Sequence, residues 1–176
     1  NADNRVFLHV HNPGEDTGFD VSQLRPDIVD ANREQKQISG YLVAKTGLEY
    51  RVVQPVSVAG RQIGIVQFGI NAMQLLDSIQ KQLDMPIALA LPNSKAAIIA
   101  YNKMPSDKEA SHTLYSRQLD FFTSIGPSID WSLDNQQLKH SGKTFRLIKA
   151  FEFTDYRRQS QGNLFVAMET TTQQAR

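Results

Sequence analysis

Cysteine is absent from the 176 residues, which excludes disulfide scaffolds, thiol catalysis and cysteine-ligated zinc. A chain without thiols suits an oxidising compartment. Long apolar runs are also missing: runs such as residues 87–91 are far too short to span a bilayer as a helix. An excess of one charge is lacking too. The net charge is +1 and the 19 Lys and Arg are scattered, so no basic surface for nucleic acid is expected. Enzyme signatures are likewise missing, with no Gly-rich phosphate loop, no His-Glu-x-x-His and no Gly-x-Ser-x-Gly. What remains, 40% hydrophobic and 21% charged residues, is the mix of a globular protein with a core to bury. The polar start, Asn1-Ala2-Asp3-Asn4, and the polar end, Thr170-Thr171-Thr172-Gln173, read as the ends of a piece excised from a longer chain.

Periodicity assigns the elements. Val6, Leu8 and Val10 alternate with Phe7, His9 and His11, the pattern of a strand closed by Asn12-Pro13-Gly14. Leu24, Ile28 and Ala31 share a helical face within residues 21–32, with Pro26 near its start. Strands follow at 39–45, 48–58 and 62–70, the last two joined at Ala59-Gly60-Arg61 as a hairpin. The period then changes. Met73, Leu76, Ile79 and Leu83 recur at three and four, predicting an amphipathic helix over 72–83 with Gln74, Asp77, Gln80 and Lys81 on its polar back. Beyond it the sequence predicts strands at 87–91 and 96–101, a polar loop at 102–110 and a helix-like segment at 112–125. Three final strands are expected at 136–140, 144–155 and 162–170, with Phe145, Leu147, Phe151 and Phe153 on one face.

Two halves repeat one plan without residue identity. In the second, two strands, a helical crossing and a three-stranded meander have the order of a PAS-like sheet; the first lacks one leading strand of that plan.

Particular residues sharpen the pattern. Leu8-His9-Val10-His11-Asn12-Pro13, Leu24-Arg25-Pro26-Asp27-Ile28-Val29-Asp30-Ala31-Asn32, Ser39-Gly40-Tyr41, Gly47-Leu48-Glu49-Tyr50-Arg51-Val52-Val53-Gln54-Pro55-Val56 and Gly64-Ile65-Val66-Gln67-Phe68-Gly69 come in that order. They resemble the membrane-distal part of double-Cache sensor domains of bacterial transmembrane receptors. Phe151-Glu152-Phe153-Thr154-Asp155-Tyr156 followed by Gly162-Asn163-Leu164-Phe165-Val166-Ala167 resembles the closing hairpin of a membrane-proximal Cache module. The resemblance implies a periplasmic domain held by transmembrane helices outside this chain. Such a domain senses a small molecule for a cytoplasmic chemoreceptor, histidine kinase or diguanylate cyclase module, and forms a homodimer in the intact receptor. These domains usually open with a long membrane-emergent helix, and this chain has none, so the distal module reads as truncated.

The candidate binding residues are few. His9 and His11, two apart on one strand, point the same way; two imidazoles can share a metal or hold an anion when protonated. A metal needs three or four ligands and no third stands at a matching spacing, so the pair reads first as polar side chains on a strand and second as hydrogen bonders to a ligand. No metal and no cofactor is expected. Arg25 opens the first helix and Arg51 lies mid-strand among apolar neighbours, where it must reach solvent or meet an anion. The planar fork of arginine matches a carboxylate. That carboxylate belongs to Asp27, Asp30 or Glu49 if the role is structural, and to an organic acid or amino acid if it is binding. Arg51 is the leading candidate, with Tyr41 and Tyr50 as pocket walls. Trp131 reads as packing and Asp155 as a turn residue.

The sequence therefore predicts an α+β fold of two PAS-like modules, 1–84 (distal, carrying helix 72–83) and 85–176 (proximal), each an antiparallel sheet flanked by helices. The chain reads as a sensor without catalysis, for a small anionic or zwitterionic metabolite. The rival expectation is a docking module for a periplasmic binding protein, with no pocket of its own.

Overall fold

The computed structural model describes residues 3–10, 13–14, 16–83, 85–101 and 104–171. Its elements in chain order are α1 (Pro26–Glu34), β1 (Ile38–Ala44), β2 (Gly47–Val58), β3 (Arg61–Asn71), α2 (Ala72–Gln80), β4 (Ile87–Pro92), α3 (Asn93–Ala96), β5 (Ser106–Lys108), β6 (His112–Tyr115), α4 (Leu119–Ile125), β7 (Asn135–His140), β8 (Lys143–Thr154) and β9 (Ser160–Glu169). The fold is α+β, with one sheet in the order β1-β2-β3 and another in the order β5-β6-β4-β9-β8-β7. The second has the expected plan: two leading strands, a crossing through α4 and a meander whose last strand returns beside the first. β5 is added at its edge. No helix among the described residues is long and apolar enough to cross a membrane.

Packing separates two compact units, Asn1–Gly40 with Tyr50–Ile70, and Tyr41–Glu49 with Asn71–Arg176. In the first, Pro26 occupies the first turn of α1, where its missing N–H costs nothing, and Ala31 is fully buried. Helix α1 begins later than the apolar spacing predicts, so Leu24 lies outside it and exposed. The strand expected over residues 6–11 does not form. Its described part is held only at its start, where Arg5 bridges Asp20 and Val6 donates its N–H to Phe19 O at 3.0 Å and accepts from Gly18 N at 2.8 Å, and it leaves Phe7, Leu8 and Val10 exposed. An alternating segment becomes a strand only where a neighbour takes its backbone groups.

In the second unit a core of Val43, Leu48, Met73, Leu76, Leu89, Leu91, Tyr115 and Phe153 fills one face of the six-stranded sheet. Ala88, Ala90, Leu114, Phe122, Ile125, Leu138, Phe145, Leu147 and Phe165 fill the other, beneath α4. Strand β4 is apolar on both faces because it lies inside the sheet with a core on each side. Asn71 caps α2, its side chain accepting from Met73 N at 2.9 Å and Gln74 N at 3.1 Å. The helix ends at Gln80, which is buried and not on a polar back. Its amide donates to Ile87 O at 2.6 Å and accepts from Arg117 N at 2.8 Å, so burial leaves neither end unsatisfied. Asp77 does face outward, ion-paired with Arg117 and, at 3.0 Å, with Lys81.

Three further expectations are corrected. Residues 112–125 are not one helix, because His112–Tyr115 pairs antiparallel with β4 and only 119–125 coils. Residues 96–101 are not a strand; Asn93–Ala96 forms a short helix, and Asn93 anchors it by donating from its side chain to Glu109 O at 3.0 Å and accepting from Thr113 Oγ1 at 2.8 Å. In β8 the four aromatic and aliphatic residues do not share a face. Pairing with β9 slips between Lys149 and Phe151, so Phe145 and Leu147 face the α4 side while Phe153 joins the opposite core.

Gly162 has φ +154°, and a Cβ there would collide with the Leu91 side chain and stand 2.7 Å from Ala90 O. Gly162→Ala should therefore destabilise the second unit by about 2 kcal/mol or more, measured by denaturant unfolding. The salt bridges to Arg117 and then Lys81 pull the Asp77 carboxyl down from 3.8 to about 2. Such a group stabilises the fold above its unfolded value and loses that contribution as pH falls through its folded one. Asp77→Asn should thus lower the melting temperature at pH 7, and the difference from the unmutated protein should close between pH 3.8 and about 2.

Candidate ligand-binding site

The two arginines singled out by sequence lie in the first unit. Arg25 stands at the N-terminus of α1 and grips Asp27 with both prongs, Nε to Oδ1 at 3.0 Å and Nη2 to Oδ2 at 2.7 Å. Both side chains are largely buried. This is the fork-to-carboxylate geometry that an anionic ligand would adopt, made here with the chain's own acid. The pair is a product of sequence: an Arg at the cap and an Asp in the first turn, which also favours the helix dipole. Arg51 and Tyr50 are half-buried neighbours on β2, so strand alternation sends their side chains to opposite faces.

Tyr41 belongs to the second unit. Its ring packs edge-on against Phe153 at 4.8 Å and Phe151 at 6.1 Å, an aromatic cluster against the core. His9 is exposed on irregular chain. His11, and with it the expected pairing of the two imidazoles on one strand face, lies outside the described residues. Among the described residues no group of three His, Cys, Asp or Glu is placed to hold a metal.

The second unit contains a polar and aromatic group that sequence reasoning passed over, on the α4 face of its sheet. His112 stacks on Trp131, centroids 4.6 Å apart and planes 28° apart. Trp131 in turn meets Phe165 edge-on at 5.5 Å. His112 is opposite Pro92, and Phe165 opposite Ala88, on either side of β4. The indole thus bridges a diagonal across β4 at the level of Ala90, where the small side chain leaves room. Asn163 is the β9 partner of Ala90, and Glu152 is its partner on β8. The Asn163 Oδ1 atom is buried and has no hydrogen-bond partner. Lys149, which shares this face, is ion-paired with Asp134. Burial holds the His112 imidazole below its ordinary 6.5, so the ring is neutral at pH 7.

The β9 alternation places Asn163 on the same side as Phe165, a signal present in the sequence. Glu152 was hidden by the slip in β8, which moves it onto this face one residue out of phase.

The comparisons with known proteins bear on the whole chain. Residues 1–172 match the family profile dCache_3, the double sensory domain of two-component sensor kinases. The chain belongs to this double-Cache family. No curated protein matches it by sequence. Among solved structures, the ligand-binding domain of Mlp24 with asparagine is similar at 14% identity and a TM-score of 0.43, over 92% of this chain and 61% of that one. The ligand-binding domain of the Pseudomonas fluorescens chemoreceptor CtaA in complex with L-serine is similar at 15% identity and a TM-score of 0.38, over 89% and 63%. The same domain with L-leucine gives 16% and 0.38, over 90% and 62%. This double-Cache chain thus spans less than two thirds of the length of those domains. As a Cache sensor domain it is assigned to signal transduction and ligand binding.

The stacked pair gives a direct test of the second unit's geometry. In an NMR titration His112 should titrate below 6.5, and Trp131→Ala should return it toward that value, because the indole supplies much of the ring's burial. A His112 that titrates at its ordinary value in both proteins would show that the stack is not formed in solution.

Proposed function

We propose that this double-Cache chain is the extracytoplasmic sensing part of a bacterial transmembrane receptor, located in the periplasm. In this reading it binds a small anionic or zwitterionic metabolite, an organic acid or amino acid, and relays the bound state to a cytoplasmic output module. The observation that carries the reading is the family match over residues 1–172, since a double sensory domain of sensor kinases has sensing as its task. As family modules the chain divides at 84/85 into a distal and a proximal part, and the intact receptor acts as a homodimer.

The distal module supplies the anion site. Arg51, half-buried on β2, is the primary anchor, with His9 and His11 as accessory contacts; Tyr50 points to the other face of β2 and Tyr41 packs within the second unit, so neither is counted in this site. Arg25 joins only by exchanging the Asp27 carboxylate for that of the ligand. Signalling work then comes from the difference in ligand affinity between two conformations of the receptor; a ligand that binds both equally is silent.

A second reading is supported by the exposed apolar side chains of β3. Ile63, Val66, Phe68 and Ile70 are all open to solvent, as a docking face for a periplasmic binding protein would be.

A thermal-shift screen of organic acids, amino acids, amines and purines separates the two. A ligand present at one hundred times its dissociation constant adds about 2.7 kcal/mol to stability, well above detection. The expected outcome is a shift from an acid or amino acid that Arg51→Ala weakens about tenfold or more, with little change in the melting temperature of the unliganded protein. Unchanged affinity in a folded Arg51→Ala variant removes Arg51 from the site, and silence across all classes favours docking.

A further inference from the structure

Strand β3 ends the three-stranded sheet, with β2 as its single strand neighbour among the described residues. Its other side presents backbone N–H and C=O groups for pairing, a hazard that native sheets suppress with short edges, prolines or charges. The six-stranded sheet follows that rule: β5 is three residues long and contains Asp107 and Lys108, and β7 carries Lys139. β3 does not. It runs for 11 residues, and between Arg61 and Asp77 the chain has no charged residue and no proline. Its start is engaged, where the Gln62 amide donates to Asn32 Oδ1 at 2.5 Å and to Gly64 O at 3.5 Å. Beyond that point it opens. A strand covered on one face alternates between exposed and buried side chains, yet the five residues from Val66 to Ile70 are all exposed. Phe68, at 67%, is the most open of them. Gly64 and Gly69 are a second mark. They lie inside the strand without the positive φ that would tie them to a turn, and glycine in that position marks the close approach of another backbone.

We infer that β3 is a self-association edge: two copies of this chain pair β3 with β3, antiparallel about a two-fold axis at Gln67, and extend the sheet from three strands to six. In that register Val66 stands opposite the partner's Phe68, a β-branched side chain against an aromatic one. The same symmetry sets Ile65 against the partner's Gly69 and Gly64 against the partner's Ile70, so each glycine leaves room for a large side chain. The two Gln67 amides meet at the axis, each with donors and an acceptor to offer. A second copy fits this edge better than a foreign strand, because the pairing is self-complementary, opposes no charges and closes on two copies. A binding protein docked on the same strand would compete with it. The edge gives the receptor homodimer proposed above a surface and rests on that reading only for its role in signalling. The pairing itself belongs to this chain, so its failure would leave ligand sensing untouched.

Sedimentation equilibrium of the chain across the micromolar range is expected to fit a monomer–dimer equilibrium. Gln67→Lys and Gln67→Glu each change an exposed side chain and set like charges opposite one another at the axis. Each variant should dimerise about fivefold more weakly or worse at low salt. An equimolar mixture of the two should recover the affinity of the unmutated chain, because the facing charges then attract. Circular dichroism and the melting temperature verify that both variants are folded. The inference is overturned if the unmutated chain stays monomeric or grows into open-ended aggregates. It is equally overturned if the folded single variants dimerise as the unmutated chain does, or if their mixture is no tighter than either alone.

Discussion

The second unit depends on how closely β4 and β9 approach one another. Four consecutive residues of each strand are in register, from Ile87 with Val166 to Ala90 with Asn163, and Gly162 lets the end of β9 run against Ala90 and Leu91. β4 carries alternately large and small side chains. Leu89 and Leu91 feed one core, while Ala88 and Ala90 lie under the other. Because both faces of this strand are buried, it fixes the separation of the two cores, and the meander β7-β8-β9 is then placed by continued pairing outward from β9. The small residues on the α4 side have a second effect. They leave height above the sheet that Trp131, His112 and Phe165 occupy, so the same alternation that packs the centre also seats the stacked rings beside Asn163.

The first unit is built on different terms. Its sheet exposes Ile63, Val66, Phe68 and Ile70, and its leading segment exposes Phe7, Leu8 and Val10. Its polar side chains, by contrast, are well supplied with local partners. Asn32 bonds Asn4, Gln62 bonds Asn32 at 2.5 Å, and Arg25 is closed by Asp27. Apolar surface left open beside satisfied polar groups puts the unused binding energy of this unit in its hydrophobic side chains.

Much of the fold was legible because strand alternation and turn residues are local. The three strands of the first sheet, β4, the closing meander and the start of α2 all fall within a residue or two of their expected bounds. What escaped depends on partners distant in sequence. Residues 6–10 alternate as a strand should, yet only Val6 finds a neighbour, whereas His112–Tyr115 carries a helix-like spacing and is drawn into pairing by the edge of β4. Gln80 reads as a solvent residue until Ile87 O and Arg117 N are placed beside it. The candidate sites divide in the same way. The acid nearest Arg25 was among those named as its partner, since a cap and first-turn pair is local. The group around Trp131 was not legible, because a one-residue slip in β8 reverses the facing of everything beyond Lys149 and brings Glu152 beside Asn163.

The Arg25–Asp27 pair has a consequence for discrimination. Two bonds tie the guanidinium to a carboxylate only two residues away in the chain, so Arg25 always sees a tethered rival at an effective concentration set by that short connection. A free carboxylate that offered nothing beyond the same two bonds would compete against this rival at a millimolar disadvantage or worse. To open the pair, an incoming molecule must recover more from the rest of its structure than Asp27 gives up. Simple acids such as acetate or formate, abundant and nearly featureless, would thus be screened out by the protein's own side chain before any pocket shape was consulted.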